Sequence, residues 1–269
     1  MSIDTDTLVR RSARLEVDDL DLTAFSAAPL DPETLRCLRY MHDVEGHTVC
    51  YLRDILVTRA HRDPSVTAFL TCWNYEEHWH GDAIGRVLDA HGEIAGRGRL
   101  SEMRRRLPKR DAWRPMMFHF TSAVTRHLTA LQMTWGAVNE WTTQAGYARL
   151  AAKADHPVLG ELLRRIMRQE GRHIDFYAAQ AKSRLADSRT AQRLTRAALR
   201  RVWAPVGSGV MPHEETRFLV GHLFADDTGL ATAKRIDRHI DRLPGLDGLH
   251  LVETSVTGLA TKVGAAARR

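Results

Sequence analysis

The sequence contains few cysteines and no long apolar run, and both shortages exclude classes of protein. Its three cysteines, Cys37, Cys50 and Cys72, are an odd number among 269 residues and form no C-x-x-C pair. A disulfide framework or a thiolate zinc site is therefore not expected, and each Cys is interpreted as a small buried helix residue. Charged residues interrupt the most apolar windows well before the roughly 20 residues that a membrane-spanning helix needs.

Targeting signals and strand patterns are also missing. Residues 1–6 are acidic and lack the apolar core of a secretory signal and the arginines of a transit peptide, so a cytoplasmic location is expected. No stretch alternates apolar and polar residues as a strand does, and no repeat of the length found in solenoid proteins is present. These absences favour an all-α protein.

Basic residues are in excess, with a net charge of +6. They cluster at 104–106 with Lys109 and Arg110, and again between 193 and 201. A basic face favours an acidic partner. Nucleic acid is not expected, because aromatic residues do not interleave with these arginines and no binding motif occurs. A solvated helix face remains the alternative interpretation.

Helix-start signals divide the chain. Asp31-Pro32 and Asp63-Pro64 each combine an N-cap Asp with Pro at the first helical position, and Asp155-His156-Pro157 marks a break. Residues 1–30 are expected to be irregular and 31–269 to form a single helical domain. The predicted helices cover 31–57, 63–88, 100–107, 115–154, 158–185, 188–202, 213–225, 227–243 and 246–264, with Pro115 opening the longest one.

Two short motifs carry the chemistry. Glu77 and His80 are three residues apart, and so are Glu170 and His173, each pair inside a long predicted helix. Residues at i and i+3 share one face of a helix, where a carboxylate and an imidazole can bind one metal ion. With an inward carboxylate on each preceding helix, the set matches the ligand pattern of ferritin-like di-metal bundles. The six predicted ligands are Glu45, Glu77, His80, Glu140, Glu170 and His173.

The predicted burial of these carboxylates strengthens the metal interpretation. A buried unpaired charge is very costly, and two divalent ions would supply four positive charges for four negative ones. Nitrogen and carboxylate ligands with open positions suit iron, or alternatively manganese, better than structural zinc. The alternative is that the six residues lie on outer faces and pair with arginines such as Arg168 and Arg172.

Neighbouring residues have two interpretations each. His78 lies on a different face from His80 and is expected to be exposed. Glu76 either supports a ligating His from behind or is exposed to solvent. Thr143 lies one turn after Glu140, so its hydroxyl either reaches the metal site or bonds back to its own helix.

The residues around these ligands resemble the soluble acyl-carrier-protein desaturases. The segment from Trp73 to Asp82, W-N-Y-E-E-H-W-H-G-D, is similar to that family's W-x-x-E-E-x-x-H-G-D. Glu140 with Thr143 resembles the family's E-x-x-T, and E-G-R-H followed by Tyr177 resembles its E-x-R-H-x-x-x-Y. The resemblance covers roughly residues 35 to 212. Gln169 departs from the family, which commonly has there an acid that orients a ligand His.

The resemblance implies a ferritin-like four-helix bundle with additional C-terminal helices. It also implies that the six ligands hold two iron ions and that Thr143 assists oxygen activation. Reduced ferredoxin would supply electrons, O₂ would be the oxidant, and an acyl chain on an acyl carrier protein, or on coenzyme A, would be the substrate. The family is usually a homodimer.

Three functions remain open at this stage. The leading interpretation is a di-iron, O₂-dependent desaturase, or a relative that hydroxylates a carrier-bound chain. The second is a ferritin-like oxidase or N-oxygenase that acts on another small molecule. The third is an iron-binding bundle without catalysis, against which the additional C-terminal helices and the specific motif around Glu77 argue. The chain length and double-bond position do not follow from the sequence.

Overall fold

A computed structural model describes residues 5–266, with side chains for 5–109 and 111–259. Its regular structure is helical, and within the described residues the only strand-like pairing is one bridge between Ser208 and Met211. The prediction of an all-α protein is therefore confirmed. Across the same residues, no helix combines the length and apolarity that crossing a membrane requires.

Twelve helices and one 3₁₀ turn, Arg59–Arg62, make up the described chain. The helices are α1 Thr5–Arg11, α2 Ala24–Ala27, α3 Pro32–Leu56, α4 Pro64–Ala90, α5 Gly96–Arg105, α6 Arg110–Val124, α7 Leu128–Ala154, α8 Pro157–Ala186, α9 Arg189–Val202, α10 His213–Phe224, α11 Asp227–Asp241 and α12 Leu251–Ala266.

The two Asp-Pro start signals act as predicted. The Asp31 carboxylate accepts a hydrogen bond from the Thr34 amide at 2.7 Å, which satisfies one of the free N–H groups at the start of α3. Asp63 caps α4 in the same way, accepting from the amides of Ser65 and Val66. In both cases Pro occupies the first turn, where it costs no helical hydrogen bond.

The predicted helix over 115–154 is wrong in one respect, because the chain forms two helices there. Pro115 lies inside α6 and does not open a helix. Between α6 and α7 the backbone of Thr125 is extended, and its hydroxyl accepts a hydrogen bond from the His127 amide at 3.1 Å. Such a local side-chain bond offers the backbone an alternative to the helix.

The two ends of the chain also differ from the prediction. The segment expected to be irregular contains α1 and α2, and Leu15, Val17 and Phe25 within it are buried in the main core. Residues 1–4 of that segment lie outside the described residues. The last helix begins at 251 and not at 246, because the chain turns at Gly245 and Gly248, whose φ angles of 77° and 69° suit glycine.

Four long helices surround one core. Helix α3 packs on α4 and α7 packs on α8, while further contacts join α3 to α7 and α4 to α8. Gly81 allows the close approach of α4 to α3, since a Cβ there would lie 3.3 Å from the Cβ of Glu45. Helices α9, α10 and α11 pack against α7 from outside. The middles of the four long helices thus face one another, away from water.

Candidate metal centre

The four long helices bring all six predicted ligands into one buried cluster. Helix α3 supplies one carboxylate and α7 another, whereas α4 and α8 each supply a Glu and a His one turn apart. No ligand side chain belongs to a residue more than 6% exposed. The cluster consists of Glu45, Glu77, His80, Glu140, Glu170 and His173.

The cluster divides into two overlapping groups that share two carboxylates. One group contains Glu45 and His80, the other contains Glu140 and His173, and both contain Glu77 and Glu170. Within each group, one ligand atom from each residue lies within 4.8 Å of the others. Each group would hold one ion with a Glu and a His of its own, and Glu77 and Glu170 would be within reach of both ions.

Both imidazoles turn the same nitrogen towards the shared carboxylates. The Nδ1 atom of His173 lies 2.8 Å from Glu170 and 3.2 Å from Glu77. The Nδ1 atom of His80 lies 3.3 Å from Glu77 and 3.4 Å from Glu170. The predicted ligands therefore converge on a common centre from opposite helix pairs.

Two buried atoms in this centre lack a hydrogen-bond partner among the described residues. They are Nδ1 of His80 and Oε1 of Glu170, which face each other at 3.4 Å. Leaving buried polar atoms unsatisfied is costly, and a divalent cation between them would satisfy both. A donor set of two imidazole nitrogens and four carboxylates is compatible with a bound metal ion.

The outward nitrogen of each His is held by a side chain behind it. His173 Nε2 contacts the Glu76 carboxylate at 2.8 Å, and His80 Nε2 contacts the Gln169 amide oxygen at 2.9 Å. These acceptors fix the hydrogen on Nε2 and leave Nδ1 free to bind a metal. Gln169 thus performs the orienting role at His80 although it is not an acid.

The backbone of Ala13 joins these two supporting side chains. Its N–H donates to Glu76 at 3.3 Å, and its carbonyl accepts from the Gln169 amide at 3.1 Å. Arg172 donates to the same Glu76 carboxylate at 2.6 Å. The segment between α1 and α2 is therefore tied to the outer side of the metal centre.

Aromatic hydrogen bonds position the two carboxylates that are not shared. The indole of Trp73 donates to Glu140 at 2.9 Å, and the hydroxyl of Tyr147 donates to Glu45. Each bond occupies one oxygen, which orients the other towards the centre. Tyr147 lies seven residues after Glu140, on the same face of α7, so helical periodicity could have identified it.

The pKa values of the ligand carboxyl groups shift in different directions. Burial, followed by the charges of nearby carboxylates, raises the pKa of Glu45 and of Glu140 well above the ordinary value. Burial also opposes ionisation of Glu77, but hydrogen bonds with Glu45, His173 and His80 hold its pKa well below that value. Without a metal, these shifts favour the ionised form of Glu77 and the protonated forms of Glu45 and Glu140.

The pKa values of the two imidazoles are raised, whereas burial lowers the pKa of an ordinary buried histidine. Burial by itself would lower the pKa of His80, but its contacts with Glu170 and Glu77 raise it to about 9. The carboxylates around His173 raise its pKa well above the usual value in the same way. The shifts therefore favour imidazolium at both positions when no metal is bound, opposite the carboxylates of Glu77 and Glu170.

A cavity of about 440 Å³ reaches the metal centre from one side. Three ligand carboxylates, Glu45, Glu77 and Glu140, line its inner end together with Thr143. A smaller cavity of about 70 Å³ also contacts Glu45 and Thr143. Thr143 thus lies where open space meets the ligands, whereas it is the neighbouring Thr142 that donates to a helix carbonyl, that of Val138.

The structure distinguishes between several interpretations that the sequence left open. His78 is exposed, as predicted, and Glu76 supports a ligating His instead of facing solvent. The alternative that the ligands pair with arginines is wrong, because Arg172 pairs with Glu76 and Arg168 lies 3.9 Å from Glu161. The contribution of Ala13 was not predicted, since a backbone contact leaves no side-chain pattern in the sequence.

Comparison with known proteins finds no protein-family model, no curated protein and no solved structure that matches this chain. The assignment of the metal centre therefore rests on the ligand geometry and the burial described above.

The shared position of Glu77 predicts unequal losses of metal among variants. Anaerobic Fe(II) reconstitution of the wild-type chain should give about two iron ions per chain. Glu77→Ala should lose both, because Glu77 belongs to both ligand groups, whereas His173→Ala should lose one. The affinity losses should exceed the roughly 10–100-fold typical of residues behind the ligands. Metal analysis after desalting measures the stoichiometry.

His78→Ala is the matched control, because His78 lies between the ligands Glu77 and His80 but is exposed. It should retain the wild-type iron content. Equal iron content in Glu77→Ala and the wild-type chain would remove Glu77 from the centre.

Metal binding should release protons. Metal binding requires ionised Glu45 and Glu140 and neutral His80 and His173, so two carboxyl protons and two imidazolium protons, about four in all, should leave per chain near pH 7. Because protons compete with the metal, affinity should rise as the pH is raised from about 6 to 8. Titration of the metal-free chain with Mn(II) in weak buffer with an indicator dye measures this release. Release of fewer than about two protons, or an affinity independent of pH, would contradict these protonation states.

Proposed function

We propose that this chain is a ferritin-like di-iron enzyme that uses O₂ to oxidise an unactivated C–H bond of an acyl chain. The observation that carries the proposal is the cavity of about 440 Å³ that ends on Glu45, Glu77 and Glu140. A metal centre used only to bind iron needs an entry path for ions. It does not need a cavity of ligand size at its carboxylates.

The walls of the cavity support an extended, mainly apolar substrate. Trp135 and Leu131 line it from α7, and Ile55 lines it from α3. Its polar lining includes Gln132, whose buried amide nitrogen makes no hydrogen bond among the described residues. Such a donor suits an oxygen atom of the substrate. Gln132 lies eight residues before Glu140 on the same helix, about 12 Å along its axis.

Two iron ions at this centre would supply the activation of O₂ and the removal of hydrogen from a C–H bond. The protein's own contribution is to fix the ligands: Glu76 and Gln169 orient the imidazoles, while Trp73 and Tyr147 orient the unshared carboxylates. Thr143 lines both cavities together with Glu45, and its hydroxyl would pass a proton there.

The partners follow from the same proposal. The reaction needs O₂ and an external electron donor, for which a ferredoxin-type protein is the expected class. The acyl chain would arrive on an acidic carrier protein or on coenzyme A, and the basic residues at 104–106 suit either. A homodimer is expected from the family resemblance. The second candidate, oxidation of a different small molecule, shares the metal centre and differs only in what occupies the cavity.

Thr143 provides the test that separates a catalytic centre from an iron-binding one. Thr143→Val keeps the side-chain shape and removes the hydroxyl. Iron content should stay at the wild-type value, while product formed per O₂ consumed should fall, by at most the roughly 10²–10⁴-fold that proton transfer contributes. Oxygen uptake and product should be quantified together, with acyl-carrier substrate and reduced ferredoxin.

Thr142→Val is the matched control, because Thr142 donates to its own helix and should not affect coupling. If the wild-type chain yields neither a desaturated nor a hydroxylated acyl product, the proposed substrate class is wrong. If Thr143→Val is fully coupled, Thr143 has no part in the reaction.

A further inference from the structure

Helix α6 presents an apolar face to solvent. Trp113, Met116, Met117, Phe120 and Val124 follow one another at the spacing of a single helix face. Their exposed fractions are 64%, 49%, 57%, 64% and 88%. The stripe from Trp113 to Val124 is about 16 Å long. A contiguous exposed apolar stripe on a helix marks an interaction surface.

The opposite face of α6 points into the protein and is mostly polar, with Phe118 as its large apolar residue. Asp111 and Ser122 are buried there. The Ser122 hydroxyl accepts from the Arg59 amide at 2.8 Å, and Arg114 Nε lies 3.1 Å from the Asp54 carboxylate. The helix is thus inverted relative to an ordinary surface helix, whose apolar face packs on the core. Its outward face therefore requires a partner to be covered.

The charge around this stripe is mainly basic, although Glu102 before the helix pairs with Arg105 and Arg106. Between Glu102 and Glu140 the sequence has one acidic residue, Asp111, and that residue is buried. Exposed basic side chains precede the helix, and Arg59 and Arg126 lie at its far end. The basic residues in this stretch are Arg104, Arg105, Arg106, Lys109, Arg110, Arg114 and Arg126.

We propose that α6 docks this protein on the surface of an anionic lipid bilayer. Aromatic and other large apolar side chains on one helix face enter the boundary between headgroups and acyl chains, and basic flanks bind anionic headgroups. A second copy of the chain fits less well, because two such faces would bring like charges together. An acidic protein would pair with the basic residues. Its polar surface would find few partners on the stripe, where only the Trp113 indole can form a hydrogen bond.

The position of α6 connects this surface to the candidate site. Met117 belongs to the exposed stripe and also lines the larger cavity. Its neighbour Phe118 lines the cavity but is not part of the stripe. Docking would therefore place a wall of that cavity against the lipid, from which an apolar chain could enter. This last consequence rests on the proposed function, whereas the docking itself does not.

Vesicle sedimentation tests the docking with the full-length chain and measures no product, so its outcome is independent of catalysis. The wild-type chain should bind vesicles of phosphatidylcholine mixed with phosphatidylglycerol, and added salt should weaken binding. Trp113→Ser with Phe120→Ser should weaken it by about a hundredfold, roughly tenfold for each side chain. Lys109→Glu with Arg126→Glu should weaken it by about tenfold or more.

Ile94→Ser with Leu194→Ser is the matched control, since both residues are exposed and apolar but lie outside α6. Circular dichroism should show the same helix content in every variant. Equal binding to phosphatidylcholine alone, or full binding by the Trp113→Ser and Phe120→Ser chain, would overturn the proposal. The proposal would also be overturned if the chain did not bind vesicles and instead used α6 to dimerise or to bind an acidic carrier protein.

Discussion

Four carboxyl groups and two imidazoles buried in one core impose the constraint on which the rest of this structure depends. None of them can be left as an isolated charge, because desolvation makes such a charge very costly. Without metal, the pKa shifts favour protonated Glu45 and Glu140 and imidazolium at His80 and His173, which would make the cluster neutral. Two divalent ions would give the same neutrality with all four carboxylates ionised. The helices α3, α4, α7 and α8 are therefore held around a site that must always be compensated as a unit.

The support behind the ligands is asymmetric. A carboxylate, Glu76, lies behind His173, and a neutral amide, Gln169, lies behind His80. The carboxylate is compensated by Arg172, and its pKa is lowered, although burial acts against ionisation, by the hydrogen bonds from His173 and Arg172. An ionised acceptor makes its imidazole a stronger donor to metal than an amide does. Two ions held here would thus differ electronically although their ligand types would be the same. Ala13 links the two supporting side chains.

Local sequence signals predicted much of this arrangement. The caps at Asp31 and Asp63 act over three residues, and the spacing of Glu77 and His80 lies within one helical turn, so neither needs tertiary information. Features that depend on tertiary contacts were missed. The helix is interrupted at Thr125, where a single hydrogen bond from the His127 amide to the Thr125 hydroxyl favours the break. Ala13 acts through its backbone, so its side chain gives no signal in the sequence. The orientation of α6 was equally hidden, since its amphipathic pattern is the one expected of a core-facing helix.

The most direct test of the metal centre is to locate the ions. Crystals of the wild-type chain grown with Fe(II) under anaerobic conditions, measured at the iron absorption edge, would show the metals by anomalous scattering. The account predicts two peaks, one between Glu45 and His80 and one between Glu140 and His173, with Glu77 and Glu170 contacting both. Bridged pairs of this kind are about 3.5–4 Å apart. A single peak, or peaks outside the four central helices, would contradict it.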